Sequence, residues 1–192
     1  MKTNEELLME IDLLFEEKKF SVLRTEFLEK KAVDISEILE SLSEEQTIVI
    51  YRLLPKELAA EVFVEMSAER QEKLINSFSD YELKMTLSEL YHDDTADIIE
   101  EMPASVVKRI LKNASVETRR AVNELLKYPE SSAGSIMTTE YVSLKQNMTV
   151  KVAFEHIRKV ALNKETVYTC YVVDANRRLI GIVTVIFSVF KV

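Results

Sequence analysis

Between residues 31 and 126 the apolar positions recur with a period of twelve. Units open at Lys31, Ser43, Pro55, Ser67, Ser79, Tyr91, Pro103 and Ser115. Seven positions on stand Ile38, Ile50, Val62, Leu74, Thr86, Ile98, Ile110 and Val122. Leu39, Tyr51, Phe63, Ile75, Leu87, Ile99, Leu111 and Asn123 follow directly. The units close on Leu42, Leu54, Met66, Phe78, Leu90, Met102, Ala114 and Leu126. Only Thr86 and Asn123 interrupt these three apolar rows. Twelve residues hold one short helix, not the two-helix unit of the longer repeat families. Ser or Pro opens six of the eight units, as suits an N-cap or first turn. Acids follow in Ser43-Glu44-Glu45, Ser67-Ala68-Glu69 and Ser79-Asp80, near the positive end of a helix dipole. One such helix cannot bury its stripe alone, whereas stacked neighbours can. The expected fold is therefore an α-solenoid of short helices.

The flanks read differently. Thr3-Asn4-Glu5-Glu6 resembles a capping box, and Leu7, Leu8, Ile11, Leu14 and Phe15 form one helical stripe behind it. A second helix carries Val22, Leu23, Phe27 and Leu28, and the pair is expected to cap the open end of the repeat. Helical periodicity stops at Tyr128-Pro129-Glu130-Ser131-Ser132-Ala133-Gly134-Ser135, the small-residue stretch of the chain. We therefore expect a helical domain over 1–128, a linker over 129–137 and a second unit over 138–192. In that unit 141–144 alternates as a strand. Thr149 is placed to cap a helix with Val152, Ala153, Ile157, Val160 and Ala161 inward. The runs 167–173 and 179–185 read as strands joined by the turn Asp174-Ala175-Asn176-Arg177. Strand, helix, strand, strand is a small α/β unit.

Composition narrows the function classes. A net charge of −8 disfavours nucleic acid, whose phosphates demand Lys and Arg. Two glycines leave no glycine-rich phosphate loop. The single cysteine, Cys170, permits no internal disulfide and fits a reducing compartment. Cys170 lies in a strand expected to be buried, where it packs as a small hydrophobe. Neither His92 nor His156 has a nucleophile nearby in sequence. His92 reads as a surface residue and His156 as structural or exposed, so no enzyme is expected. No signal peptide is visible at the N-terminus. The apolar run 179–190 is short of the about 20 residues a membrane helix needs. The chain is expected to be soluble, or the soluble part of something larger.

The unit opening at Tyr91 stands apart. At about 100° per residue, Asp93, Asp94, Asp97 and Glu101 share an arc of about 100°, away from Ile98, Ile99 and Met102. Like charges at i,i+4 repel by a few tenths of a kcal/mol, on the order of 0.3 per pair. Two readings stay open on spacing alone: a solvated acidic face, or half of a divalent-cation site. Mg²⁺ takes oxygen ligands, keeps several waters and typically uses one or two carboxylates.

Four stretches carry a family resemblance. They are Leu53-Leu54-Pro55-Lys56-Glu57-Leu58-Ala59-Ala60-Glu61-Val62, and Asp93-Asp94-Thr95-Ala96-Asp97-Ile98-Ile99-Glu100-Glu101-Met102-Pro103. The third runs from Tyr128-Pro129-Glu130 through Ala133-Gly134 and Met137-Thr138 to Val142, and the fourth is Glu165-Thr166-Val167-Tyr168-Thr169-Cys170-Tyr171-Val172-Val173-Asp174. Over nearly the whole chain, to about Val185, this resembles the cytosolic part of MgtE-type magnesium transporters. The resemblance implies a mainly α, superhelical N domain followed by a partial α/β CBS domain holding the first CBS motif. It also implies a homodimer through CBS domains, attached to a transmembrane domain at the cytosolic face of the cell membrane. In the family Mg²⁺ bridges acidic N and CBS surfaces and closes the channel, and its loss lets the carboxylates repel. Carried over position by position, Asp93, Asp94 and Asp97 resemble the N-domain acids of that interface. Glu57 and Glu61 belong to an earlier acidic helix, and Gly134 resembles a backbone-carbonyl contributor.

After Thr184 the family shows an Arg-Asp-Leu-like helix start, where this chain has Val185-Ile186-Phe187-Ser188-Val189-Phe190. The tail therefore reads as truncated or altered. Nucleotide binding, which uses that region in CBS modules, is not expected. The half unit should expose an apolar strand edge over 179–192 unless another chain covers it. The expected role is Mg²⁺ sensing that gates a magnesium transporter. The alternatives are an α-solenoid interaction scaffold and an adenine-nucleotide-sensing CBS protein.

Overall fold

The computed structural model describes residues 4–185. Thr3 of the proposed capping box and the altered tail, 186–192, lie outside the described residues. The chain forms two compact units. The first comprises the described residues up to Leu90 together with Asp94–Lys127; the second comprises Tyr91–Asp93 and the described residues from Tyr128 on.

The first unit is an array of short helices: α1 (Asn4–Glu16), α2 (Phe20–Leu28), α3 (Ala32–Glu40), α4 (Glu44–Leu53), α5 (Lys56–Val64), α6 (Ala68–Ser77), α7 (Asp80–Glu89), α8 (His92–Glu101, whose first two residues cluster with the second unit), α9 (Ala104–Asn113) and α10 (Val116–Leu125). The period has a plain local cause. A helix of nine or ten residues is followed by one or two residues that leave it, and then by an N-cap in extended conformation. Leu54 (ψ 146°), Phe78 (ψ 145°) and Ala114 (ψ 152°) turn the chain out, and Pro55, Ser79 and Ser115 start it again. Ser43, Ser67, Ser79 and Ser115 each accept a backbone N–H three residues ahead. Ser43 with Gln46 and Ser79 with Glu82 complete reciprocal capping boxes.

The three apolar rows form the core. All of their members are buried except Ile38, Thr86, Leu111, Asn123 and Leu126. Packing runs between next-but-one helices: α3 on α5, α5 on α7 and α7 on α9, with α2 on α4 and α4 on α6. Each turn of the array thus holds two helices, a refinement of simple neighbour stacking. Tyr51, Phe63 and Phe78 meet at its centre, with ring centroids 5.5–6.5 Å apart.

Helix ends leave carbonyls without partners, and a recurring side chain answers them. At the fifth position of their units Thr47, Gln71 and Arg119 donate to the carbonyls of Leu39, Phe63 and Leu111, each eight residues back, at 3.2, 2.8 and 3.0 Å. Arg70 donates to the carbonyls of Glu40 and Leu42, and Arg109 to those of Ile75 and Phe78.

The second unit carries β1 (Tyr141–Lys145), α11 (Val150–Val160), β2 (Thr166–Val173) and β3 (Leu179–Thr184). The sheet order is β1-β2-β3, with β1 parallel to β2 and β2 antiparallel to β3. Thr149 caps α11 by accepting from the N–H of Val152. Val142, Leu144, Ile157, Cys170 and Val185 form the core, with Ala153 and Val160 packed against it. Val152 does not join them. It is 45% exposed, because Ile157 and its neighbours set the buried arc and Val152 lies off it. Leu179, Ile180, Ile182 and Val183 of β3 and Tyr168 of β2 are exposed; the rest of the stretch expected to expose an apolar edge, 186–192, lies outside the described residues. Asp174 Oδ1 holds the β2–β3 turn by accepting from the N–H groups of Asn176 (2.8 Å) and Arg178 (2.9 Å).

Candidate metal site

Helix α8 buries Thr95, Ala96, Ile98 and Ile99, and this sets the direction of the remaining positions. Asp97, Glu100 and Glu101 are exposed, while Asp93 and Asp94 are half-buried in the first turn. Acids at that turn are favoured by the helix dipole. Asp97 gains no such help. Partial burial, and then the neighbouring Glu101 carboxylate, push the Asp97 carboxyl above the usual aspartate range. Both causes disfavour its charged form, and a cation placed beside it would favour that form.

The other carried-over residues are distributed along the chain. Glu57 and Glu61 are exposed on α5, where Glu57 lies 3.7 Å from Lys56. Gly134 belongs to a wound turn. Ser132 N donates to the Pro129 carbonyl at 3.2 Å, and Ser135 N to the Ser132 carbonyl at 3.2 Å. The Tyr128 ring lies directly over Gly134, so a Cβ there would collide with it. Among the described residues no three His, Cys, Asp or Glu side chains converge to hold a metal ion. The oxygen-only donors of α8 nevertheless suit a hard cation that keeps most of its water and takes one or two carboxylates.

His92 corrects its reading as a surface residue. Its side chain is 16% exposed, and its surroundings come from far along the chain. The His92 N–H donates to Glu140 Oε2 at 2.8 Å. Its ring Nδ1 lies 3.4 Å from the same oxygen and 3.4 Å from Thr139 Oγ1. Glu140 is itself anchored: its carbonyl accepts from the N–H groups of Glu165 (3.0 Å) and Thr166 (3.4 Å). Nothing local in the sequence marks Glu140, because 48 residues separate it from His92. The Tyr91 unit opens without Ser or Pro, as does the Lys31 unit. His156 is half-buried on α11. Cys170 is buried, and burial pushes its thiol up, away from the reactive thiolate.

A cleft of about 340 Å³ opens in the second unit beside α11, lined by Leu144, Met148, Phe154, Ile157, Val172 and Val185 among others.

Residues 30–131 match the family model of the MgtE intracellular N domain. The chain belongs to the MgtE family. Residues 133–186 match the CBS domain. The magnesium transporter MgtE of Thermus thermophilus is 33% identical over 184 residues, covering 94% of this chain and 41% of that protein. MgtE of Bacillus subtilis is 25% identical over 182 residues, covering 95% and 40%. The MgtE-family chain thus spans about 40% of the length of these relatives. Two solved structures are similar. The cytosolic domain of the Mg²⁺ channel MgtE in complex with ATP has a TM-score of 0.83 at 32% identity, covering 92% of this chain and 73% of that one. The soluble part of a magnesium transporter has a TM-score of 0.81 at 27% identity, covering 95% and 72%. No helix among the described residues is long and apolar enough to cross a membrane.

Proposed function

We propose that this chain is a cytosolic, non-catalytic Mg²⁺-sensing region of a magnesium transporter, gating transport in response to the ion. The observation that carries the reading is the acidic arc of α8. Asp93, Asp94, Asp97 and Glu101 share one face, and the environment of Asp97 disfavours its charge. A fold that needed only solubility gains nothing from four like charges on one arc. Similarity to magnesium transporters supports Mg²⁺ as the cation. Asp93, Asp94 and Asp97 are the principal ligands in this reading, with Glu57, Glu61 and the Gly134 carbonyl as further contributors. Homodimerisation through CBS domains and attachment to a transmembrane domain complete it.

Titration calorimetry with Mg²⁺ on the parent and on the Asp93→Ala/Asp94→Ala/Asp97→Ala variant tests the site. Heat in the parent that is lost in the variant supports it, and equal heat in both overturns it. A second reading, adenine-nucleotide binding, is favoured by the cleft beside α11 and by the similar cytosolic domain described in complex with ATP. ATP titrated into the same samples separates the two, because that site leaves the α8 acids untouched.

A further inference from the structure

Helix α8 opens without the serine cap that starts four of its siblings. Four units use a serine hydroxyl to accept a first-turn N–H. Tyr91 has no short oxygen-bearing side chain in that place, yet the first-turn N–H groups of a helix still need acceptors. The acceptor for His92 N–H is the Glu140 carboxylate, 2.8 Å away. This contact is shielded, with the two side chains 16% and 15% exposed. It is also fixed from behind. The Glu140 carbonyl receives two N–H groups at the entry to β2, and Glu140 N donates to Thr138 Oγ1 at 3.1 Å. Tyr91–Asp93 clusters with the second unit, Glu140 included, whereas the rest of α8 belongs to the first.

From this we infer that Glu140 is a positioning residue for the cation site: by capping His92 it holds the first turn of α8, and so the Asp93 carboxylate, in the geometry that receives Mg²⁺. Its carboxylate acts through the helix start and is not itself a ligand. A charged acceptor at a helix N-terminus serves twice over. It satisfies a first-turn N–H and complements the positive end of the dipole. The inference rests on the Mg²⁺ reading above, but the capping step does not.

Two variants of the full chain and two readouts test it. In EDTA, hydrogen exchange at the His92 and Asp93 amides reports the cap alone. Glu140→Ala should speed exchange there about fivefold, the effect of losing an ordinary N-cap. Glu140→Gln keeps a side-chain oxygen and should stay within about twofold of the parent. In Mg²⁺ titrations, Glu140→Ala should raise the half-saturating concentration roughly tenfold, as removal of a ligand-orienting group does. Glu140→Gln should raise it little.

Unchanged exchange in Glu140→Ala overturns the cap. Faster exchange with an unchanged Mg²⁺ midpoint overturns the positioning role and leaves only a helix cap. Equal loss of Mg²⁺ affinity in both variants makes Glu140 a charge acting directly on the cation, which also overturns the inference. A parent that does not bind Mg²⁺ removes the ligand reading and the positioning role together, while the exchange arm still reports the cap.

Discussion

The helical array and the small α/β unit bury their apolar residues by opposite means. In the array α4, α5 and α7 each pack on the helix two before and the helix two behind, so the apolar rows close on themselves. In the second unit α11, β1, β2 and β3 must do the same work. They bury Val142, Leu144, Ile157 and Cys170 yet leave Leu179 at 61% and Ile182 at 63% exposed. Repetition completes a core from within, whereas a single half-unit of sheet completes only one face.

The largest effect expected from this contrast is in the aromatic centre of the array. Phe63→Ala removes a ring in contact with Tyr51 and Phe78 and should cost about 3–5 kcal/mol in urea unfolding. Ile182→Thr on β3 should change stability by no more than about 0.5 kcal/mol. Comparable losses at both positions would mean that the exposed strand surface is buried after all.

Next in size come the helix starts. Ser79→Ala should cost about 1 kcal/mol, because it breaks the capping box with Glu82. The same box gives a pH dependence. The Ser79 N–H first, then burial acting against it, the Ser79 hydroxyl and Arg52 set the net downward shift of the Glu82 carboxyl from its ordinary value of 4.5. A carboxylate depressed in the folded state contributes stability that is present above its ordinary range and lost as pH falls through the lowered value. Glu82→Gln should therefore weaken the protein at neutral pH and flatten its stability-versus-pH curve in acid. Denaturant titrations across that range measure both.

Most of the array could be read from the sequence, because its cause is local. The period, the serine and proline starts and the buried rows all lie within twelve residues of one another. Thr149, the three strands and the burial of Cys170 followed from equally local patterns. What escaped reading depends on distance. Val152 fits a helical stripe, but Ile157 defines which arc the sheet covers. Thr47, Gln71 and Arg119 look like surface polar residues until the carbonyls eight positions back are placed beside them. His92 looked exposed because Glu140 is 48 residues away. In the candidate site the arc of acids was visible at once, whereas the upward push on the Asp97 carboxyl needed its partial desolvation and the neighbouring Glu101 to be placed.

A smaller effect is expected at the turn between the regions of the sequence. Gly134→Ala must displace the Tyr128 ring, and should speed hydrogen exchange over 128–135 while leaving the amides of α3 to α7 unchanged. Slower exchange in both places would contradict the placement of that ring.

Thermal unfolding tests most directly whether the α8 carboxylates receive Mg²⁺. A ligand that binds only the folded protein stabilises it by about 2.7 kcal/mol at a hundred times its dissociation constant. The parent should unfold at a higher temperature in Mg²⁺ than in EDTA, and Asp93→Ala/Asp94→Ala/Asp97→Ala should abolish the difference. An equal rise in parent and variant, or none in the parent, would contradict Mg²⁺ binding there.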